Sequence, residues 1–190
     1  MRAGGYFPNR SSAIFRAARL IGQIEEIAHR LNSSHHPAFD PPFTTLNLGI
    51  IEGGCAKNII PGRCRFTLEW RPIPGQPSSH VIDLIQAEIE ELRLREADFV
   101  CEINILRADE GVEMPMDSPL VRLLEEASGR GAGTVSFGTE AGQMVRLGAE
   151  AVVFGPGDIR EAHRSGEFVP ISELYGCVEV LRHAINRFCL

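Results

Sequence analysis

No stretch of this sequence stays apolar for the roughly 20 residues that a membrane-spanning helix needs, so a bilayer span is excluded on pattern. A surplus of positive charge is missing too: Lys and Arg number 19 against 25 Asp and Glu, for a net charge of −6. Nucleic acid, which is bound through basic patches, is therefore not the expected partner. The five cysteines (Cys55, Cys64, Cys101, Cys177, Cys189) are scattered, odd in number and without a Cys-x-x-Cys pair. That argues against a zinc ribbon or a disulfide framework and for a reducing, cytoplasmic setting. The opening residues, Met1-Arg2-Ala3-Gly4-Gly5, lack the apolar core of a secretory signal. Internal repeats and low-complexity tracts are absent, and no cluster of His, Asp or Glu has metal-ligand spacing. What remains is ordinary globular composition, 44% hydrophobic and 23% charged, over 190 residues. That length holds one medium domain or two small ones.

Periodicity organises the first half. A helix is expected after Pro8, capped by Ser11 or Ser12, with Ile14, Ala18, Ile21, Ile24, Ala28 and Leu31 on its apolar face. Asn32 to Pro42 is polar and Pro-containing, a loop. Thr44 to Glu52 reads as a strand ended by two glycines. Cys64 to Arg71 alternates, with Phe66, Leu68 and Trp70 on one side and Arg65, Thr67, Glu69 and Arg71 on the other, a strand with one buried face. A second helix is predicted from about Ser79 to Ala97, with Val81, Ile85, Ile89 and Leu92 inward. Cys101, Ile103 and Ile105 then alternate as a third strand. The order α-β-β-α-β, preceded by one more strand, would be the ferredoxin-like split β-α-β unit. The expected fold class is thus α+β, with residues 1–108 a ferredoxin-like unit lacking its first strand.

Residues 109–190 differ in character. Leu120 to Ala127 is helical, started by Asp117, Ser118 or Pro119; Thr134 to Phe137 is a short strand; Thr139 to Leu147 is a short helix. Ala151 to Phe154 is apolar throughout and reads as a buried strand. Val169 to Phe188 is a terminal helix with Ile171, Leu174, Val178, Leu181 and Ile185 inward. Strands alternating with helices point to a piece of an α/β sheet, thin for an independent domain.

Several residues are candidates for chemistry, each beside a plainer reading. Gly53-Gly54 with Asn58 and Pro61 is either a strand connection or a place where backbone approaches a ligand and Asn58 donates to it. Arg71 closes a strand on its polar face, where it is solvated or forks onto a carboxylate. Gly138-Thr139-Glu140 is a helix start, with Thr139 as cap and Glu140 in the first turn, and helix starts also receive anions. His163 follows the Gly155-Pro156-Gly157 turn at the end of an apolar run, a position where α/β sites gather; Glu167 would orient it or be exposed. His35-His36 resembles a chelating pair but sits in a Pro-flanked polar loop, and His29, His80 and His183 carry no signal.

These segments, taken in order, resemble the acetylornithine deacetylase and succinyl-diaminopimelate desuccinylase family of zinc amidohydrolases. Thr44 to Gly54, Asn58-Ile59-Ile60-Pro61 and Glu69-Trp70-Arg71-Pro72 are similar to that family's lid or dimerisation domain. Ser136-Phe137-Gly138-Thr139-Glu140-Ala141 and Phe154-Gly155-Pro156-Gly157 through Ala162-His163 to Glu167 resemble the last part of its catalytic domain. The resemblance implies a ferredoxin-like lid over an α/β fragment of a zinc-hydrolase catalytic domain. It implies His163 as a zinc ligand, Asn58 and Arg71 facing substrate in a neighbouring subunit's site, and Gly138 and Thr139 lining the pocket. A zinc-bound water would attack an amide carbonyl.

The resemblance places the family's other zinc ligands and its catalytic Glu in an N-terminal catalytic half, and the expectation is that the matching segments do not include it. The lid's first strand normally leads to a His; the matching place, Met1 to Gly5, has none. The expectation is a partial acetylornithine deacetylase-like metallohydrolase, acting on a small N-acyl amino acid with a free carboxylate when an N-terminal half completes it. A homodimer through the lid is expected. The alternative is a non-catalytic binding or dimerisation module.

Overall fold

The computed structural model describes residues 12–190. Ser11, the expected helix start after Pro8 and the Met1–Gly5 position lie outside the described residues. Two compact units divide the chain, Met1–Gly111 and Val112–Leu190.

The first unit packs two helices on one face of a hairpin. Helix α1 (Ala13–Leu31) buries Ala17, Leu20, Ile24, Ile27 and Leu31, spaced by threes and fours. This corrects the expected face, of which only Ile24 and Leu31 are buried. Two neighbouring stripes share the helical period, and the one carrying Leu20 and Ile27 removes more apolar area from water than the one carrying Ala18 and Ala28. Ser12 takes the N-cap position without a side-chain bond. The orphan N–H of Ala13 donates instead to the Pro61 carbonyl at 2.9 Å. Helix α2 (His80–Arg95) buries Val81, Ile82, Ile85, Ile89 and Leu92, which includes every residue of the expected face. Arg16 ties α1 to the chain after α2, reaching Glu96 at 3.4 Å and the Asp98 carboxylate at 2.5 Å.

Strands β1 (Thr45–Gly53) and β2 (Cys64–Arg71) form an antiparallel pair, from Thr45 opposite Arg71 to Gly53 opposite Cys64. A bulge between Leu48 and Ile50 inserts Gly49. One extra residue reverses the alternation. Leu46 and Leu48 before it, and Ile51 and Gly53 after it, therefore share the face of Trp70, Leu68, Phe66 and Cys64. Leu46, Phe66, Leu68 and Trp70 pack against the buried helix residues and Phe99. Thr44, 1% exposed, pins the hairpin's open end: its hydroxyl bonds Gln76 and accepts the Ile73 N–H at 3.1 Å.

The third strand expected at Cys101, Ile103 and Ile105 does not form. Half-buried Cys101 packs on the core, Ile103 and Ile105 are exposed, and the Cys101 carbonyl accepts from Arg93 at 2.8 Å instead of from a neighbouring strand. The described residues of this unit thus hold a mixed helix and strand fold with a two-stranded sheet.

The second unit is helical among its described residues. Helix α3 (Pro119–Ser128) starts at Ser118, whose buried hydroxyl accepts the Val121 N–H and donates to Glu150 at 3.0 Å. Helix α4 (Ala141–Arg146) is short, and α5 (Ile171–Phe188) closes the chain. The core is small: Leu123, Leu124 and Val180 are buried, with Leu120 and Ala184 against them. Three expectations are corrected here. The runs at 134–137 and 151–154 are not strands, and Val135, Val152, Val153 and Phe154 are exposed. The expected inward stripe of α5 is exposed, from 45% at Val178 to 69% at Ile171, while Val180 is the buried position. Apolar patterning records which face wants cover; strands and stripes also need a partner edge or layer to meet.

Candidate functional site

The unit of Met1–Gly111 holds Asn58 and Arg71; the unit of Val112–Leu190 holds Gly138, Thr139 and His163. Asn58 sits exposed in the connection between β1 and β2. The glycines before it have local structural reasons. A Cβ on Gly53 would lie 3.0 Å from Cys64 Sγ and 3.1 Å from Ile14 Cγ1, so its absence lets α1 approach the hairpin. Gly54 has φ +77°, a left-handed turn conformation that suits glycine. Beside them is an open cleft of about 520 Å³, lined in part by Glu52, Cys55, Ile59, Ile60, Arg63 and Arg65; Asn58 is not among its lining residues.

Arg71 lies at the other end of the hairpin, exposed on the polar face of β2 and paired with Glu69 at 2.9 Å. From Cys64 to Arg71 the strand runs about 23 Å at the usual rise per residue. The hairpin therefore holds Asn58 and Arg71 apart, the first in the connection beyond Cys64 and the second at the far end of β2.

In the second unit, exposed Gly138 and half-buried Thr139 precede α4. Glu140, not Thr139, occupies the N-cap position; the Thr139 hydroxyl accepts the Ala141 N–H at 3.1 Å, one residue early for a cap. A helix of six residues accumulates little dipole, which weakens the anion-binding reading of this start.

His163 follows a single 3₁₀ turn, Ile159–Glu161, and is exposed. Asp158 starts that turn, its carboxylate accepting the Arg160 N–H at 2.9 Å. The hydrogen-bonded Arg160 guanidinium holds the Asp158 carboxyl down to about 2. The Gly157 N–H donates to Glu173 in the first turn of α5 at 2.8 Å. His163 itself has φ 61°, and its N–H donates to Glu167 Oε2 at 3.1 Å. Glu173 was not singled out by sequence: sixteen residues separate it from Gly157, and no periodic pattern links them.

A catalytic zinc takes about three protein ligands. His163 suits one, as an exposed imidazole on a held backbone. Among the described residues no group of three His, Cys, Asp or Glu side chains could hold a metal ion. The His35 and His36 rings each pack edge-on against a phenylalanine, Phe43 and Phe39 respectively. No described helix is long and apolar enough to cross a membrane.

The described residues thus form a hairpin backed by two helices and a helical unit that carries an exposed imidazole on a held backbone. A model of the peptidase dimerisation domain of M20 type matches residues 1–96. The chain belongs to that family. It is 52% identical, over 97% of its own length, to the acetylornithine deacetylase of Myxococcus xanthus, and 31% identical, over 90%, to that of Photorhabdus laumondii subsp. laumondii. Similarity to the acetylornithine deacetylase of Vibrio vulnificus reaches 34% over 82%. The chain spans 49%, 44% and 41% of these three relatives, about half their length or less. The family resemblance read from the sequence is borne out.

Proposed function

We propose that this chain is the lid and closing segment of an acetylornithine deacetylase-type amidohydrolase, hydrolysing an N-acyl amino acid once the rest of a catalytic domain joins it. One observation carries the reading: the second unit exposes the apolar stripe Ile171, Leu174, Val178, Leu181 and Ile185, in a chain that spans 49% of a relative 52% identical to it. Such a stripe asks for cover. The cover we infer is the part of such a relative that this chain does not match. In that assembly His163 would supply one zinc ligand and the others would come from outside the described residues. Asn58, Arg71, Gly138 and Thr139 would contact the substrate. The lid would adopt the ferredoxin-like form when a further strand pairs with the hairpin, and the assembly would be a homodimer through it.

The test is reconstitution. Zinc content and hydrolysis of N-acetylornithine are measured for the chain alone and after mixing with the remaining half of the Myxococcus xanthus relative. The expected result is neither bound zinc nor turnover alone, and both in the mixture. Tight zinc binding by the isolated chain, lost in His163→Ala, would show that the chain builds its own site and would overturn the partial-site reading.

A second reading is a non-catalytic dimerisation module. It is favoured by exposed Ile50 and Ile51 on β1, whose only described pairing is to β2. A stable dimer of the chain in sedimentation, with no turnover in the mixture, would select it.

A further inference from the structure

We propose that Glu167 is a positioning residue for His163: its carboxylate clamps the His163 backbone N–H and fixes the left-handed conformation from which the imidazole is presented. This rests on the reading of His163 as a metal ligand. Among the described residues, His163 is the only non-glycine residue with positive φ, at 61°. The left-handed region is costly for a residue with a Cβ, so a contact that favours it there shifts the backbone's preference. The holding contact is visible. The His163 N–H donates to Glu167 Oε2 at 3.1 Å, and the Glu167 N–H donates to the Arg164 carbonyl at 3.1 Å. Residues 163–167 therefore close on themselves through two bonds, with Gly166 (φ 84°) making the turn. A carboxylate near a ligand histidine commonly takes the ring N–H. Here its bonded oxygen takes the backbone N–H, so the clamp sets where the ring starts from and leaves the ring nitrogens to other partners.

The experiment uses the ¹⁵N-labelled chain and three variants: Glu167→Ala, Glu167→Gln, which keeps an acceptor oxygen, and Glu173→Ala, which loosens the neighbouring Gly157 turn. Amide exchange and the HN–Hα coupling are read at His163. Zinc affinity of the reconstituted assembly is read by chelator competition. Loss of one charge-assisted bond predicts about tenfold faster exchange at His163 in Glu167→Ala, a coupling outside the left-handed range, and zinc affinity weaker by about tenfold. Glu167→Gln restores most of each, and Glu173→Ala leaves the His163 coupling unchanged. Unchanged exchange and coupling in Glu167→Ala would overturn the clamp. A lost clamp with undiminished zinc affinity would overturn the positioning role. Undiminished zinc affinity in His163→Ala would instead overturn the metal-ligand reading, so the two failures are distinguishable.

Discussion

Replacing Gly53 by alanine separates the two readings of the glycine pair. The new Cβ would stand 3.0 Å from Cys64 Sγ, 3.1 Å from Ile14 Cγ1 and 3.3 Å from Cys64 Cβ. The sulfur can rotate away. Cys64 Cβ cannot, because Cys64 is held opposite Gly53 by strand pairing. Ile14 Cγ1 is also held, since a β-branched residue in a helix keeps one strongly preferred χ1. Overpacking of this kind costs about 1–3 kcal/mol. Gly53 ends β1, so replacing it returns at most the roughly 0.5–1 kcal/mol of a strand-interior glycine. The net expectation is a destabilisation of about 1 kcal/mol. Urea unfolding followed by tryptophan fluorescence measures it in the right unit, because Trp70 is the chain's single tryptophan and packs on the first unit's core. Ile14→Ala removes one of the two rigid contacts, so in a double-mutant cycle it recovers part of the loss. A neutral or stabilising Gly53→Ala, with no coupling to Ile14, would refute the packing explanation and return the glycine to the ligand-approach reading.

Two further predictions concern the same unit. The hydrogen bond from Arg16, with its positive charge, holds the Asp98 carboxyl below its usual value. A depressed carboxylate contributes stability above its unfolded pKa of about 3.9 and loses it as pH falls through the folded value. Acid unfolding of the wild type should therefore steepen below about pH 4 relative to Asp98→Asn, and equal slopes would dismiss the contribution. Thr44→Val leaves the half-buried Ile73 N–H and the Gln76 side-chain oxygen without their buried hydroxyl partner. It should cost about 1–3 kcal/mol, read as a lower urea midpoint with the same slope.

Much of the first unit was readable before any coordinates. The alternation of Cys64 to Arg71 and the spacing of Val81, Ile85, Ile89 and Leu92 each follow one backbone period, and both elements form as expected. Periodicity failed where two faces competed. In α1 the stripe through Ile14 and Ala18 and the stripe through Ala17 and Leu20 have the same spacing, and only the facing α2 and hairpin select between them. It also failed where a partner was needed. Residues 101–105, 134–137 and 151–154 have strand-like sequences but pair with no strand among the described residues.

The candidate site divides in the same way. His163 and Glu167 stand out in the sequence as residue types that bind and orient metals. Their relation is set by the local backbone turn, where the carboxylate holds the backbone N–H, while Glu173 steadies the Gly157 turn from sixteen residues away. The sequence alone determined the family, the hairpin, helix α2 and the residue types able to do chemistry, because each is written in local pattern or in ordered motifs. Only the tertiary structure decided which face of α1 is buried, why Gly53 has no side chain, and what holds His163 at positive φ. The first two depend on distances between residues far apart in the chain, and the third on a backbone turn over residues 163–167 that no residue pattern specifies.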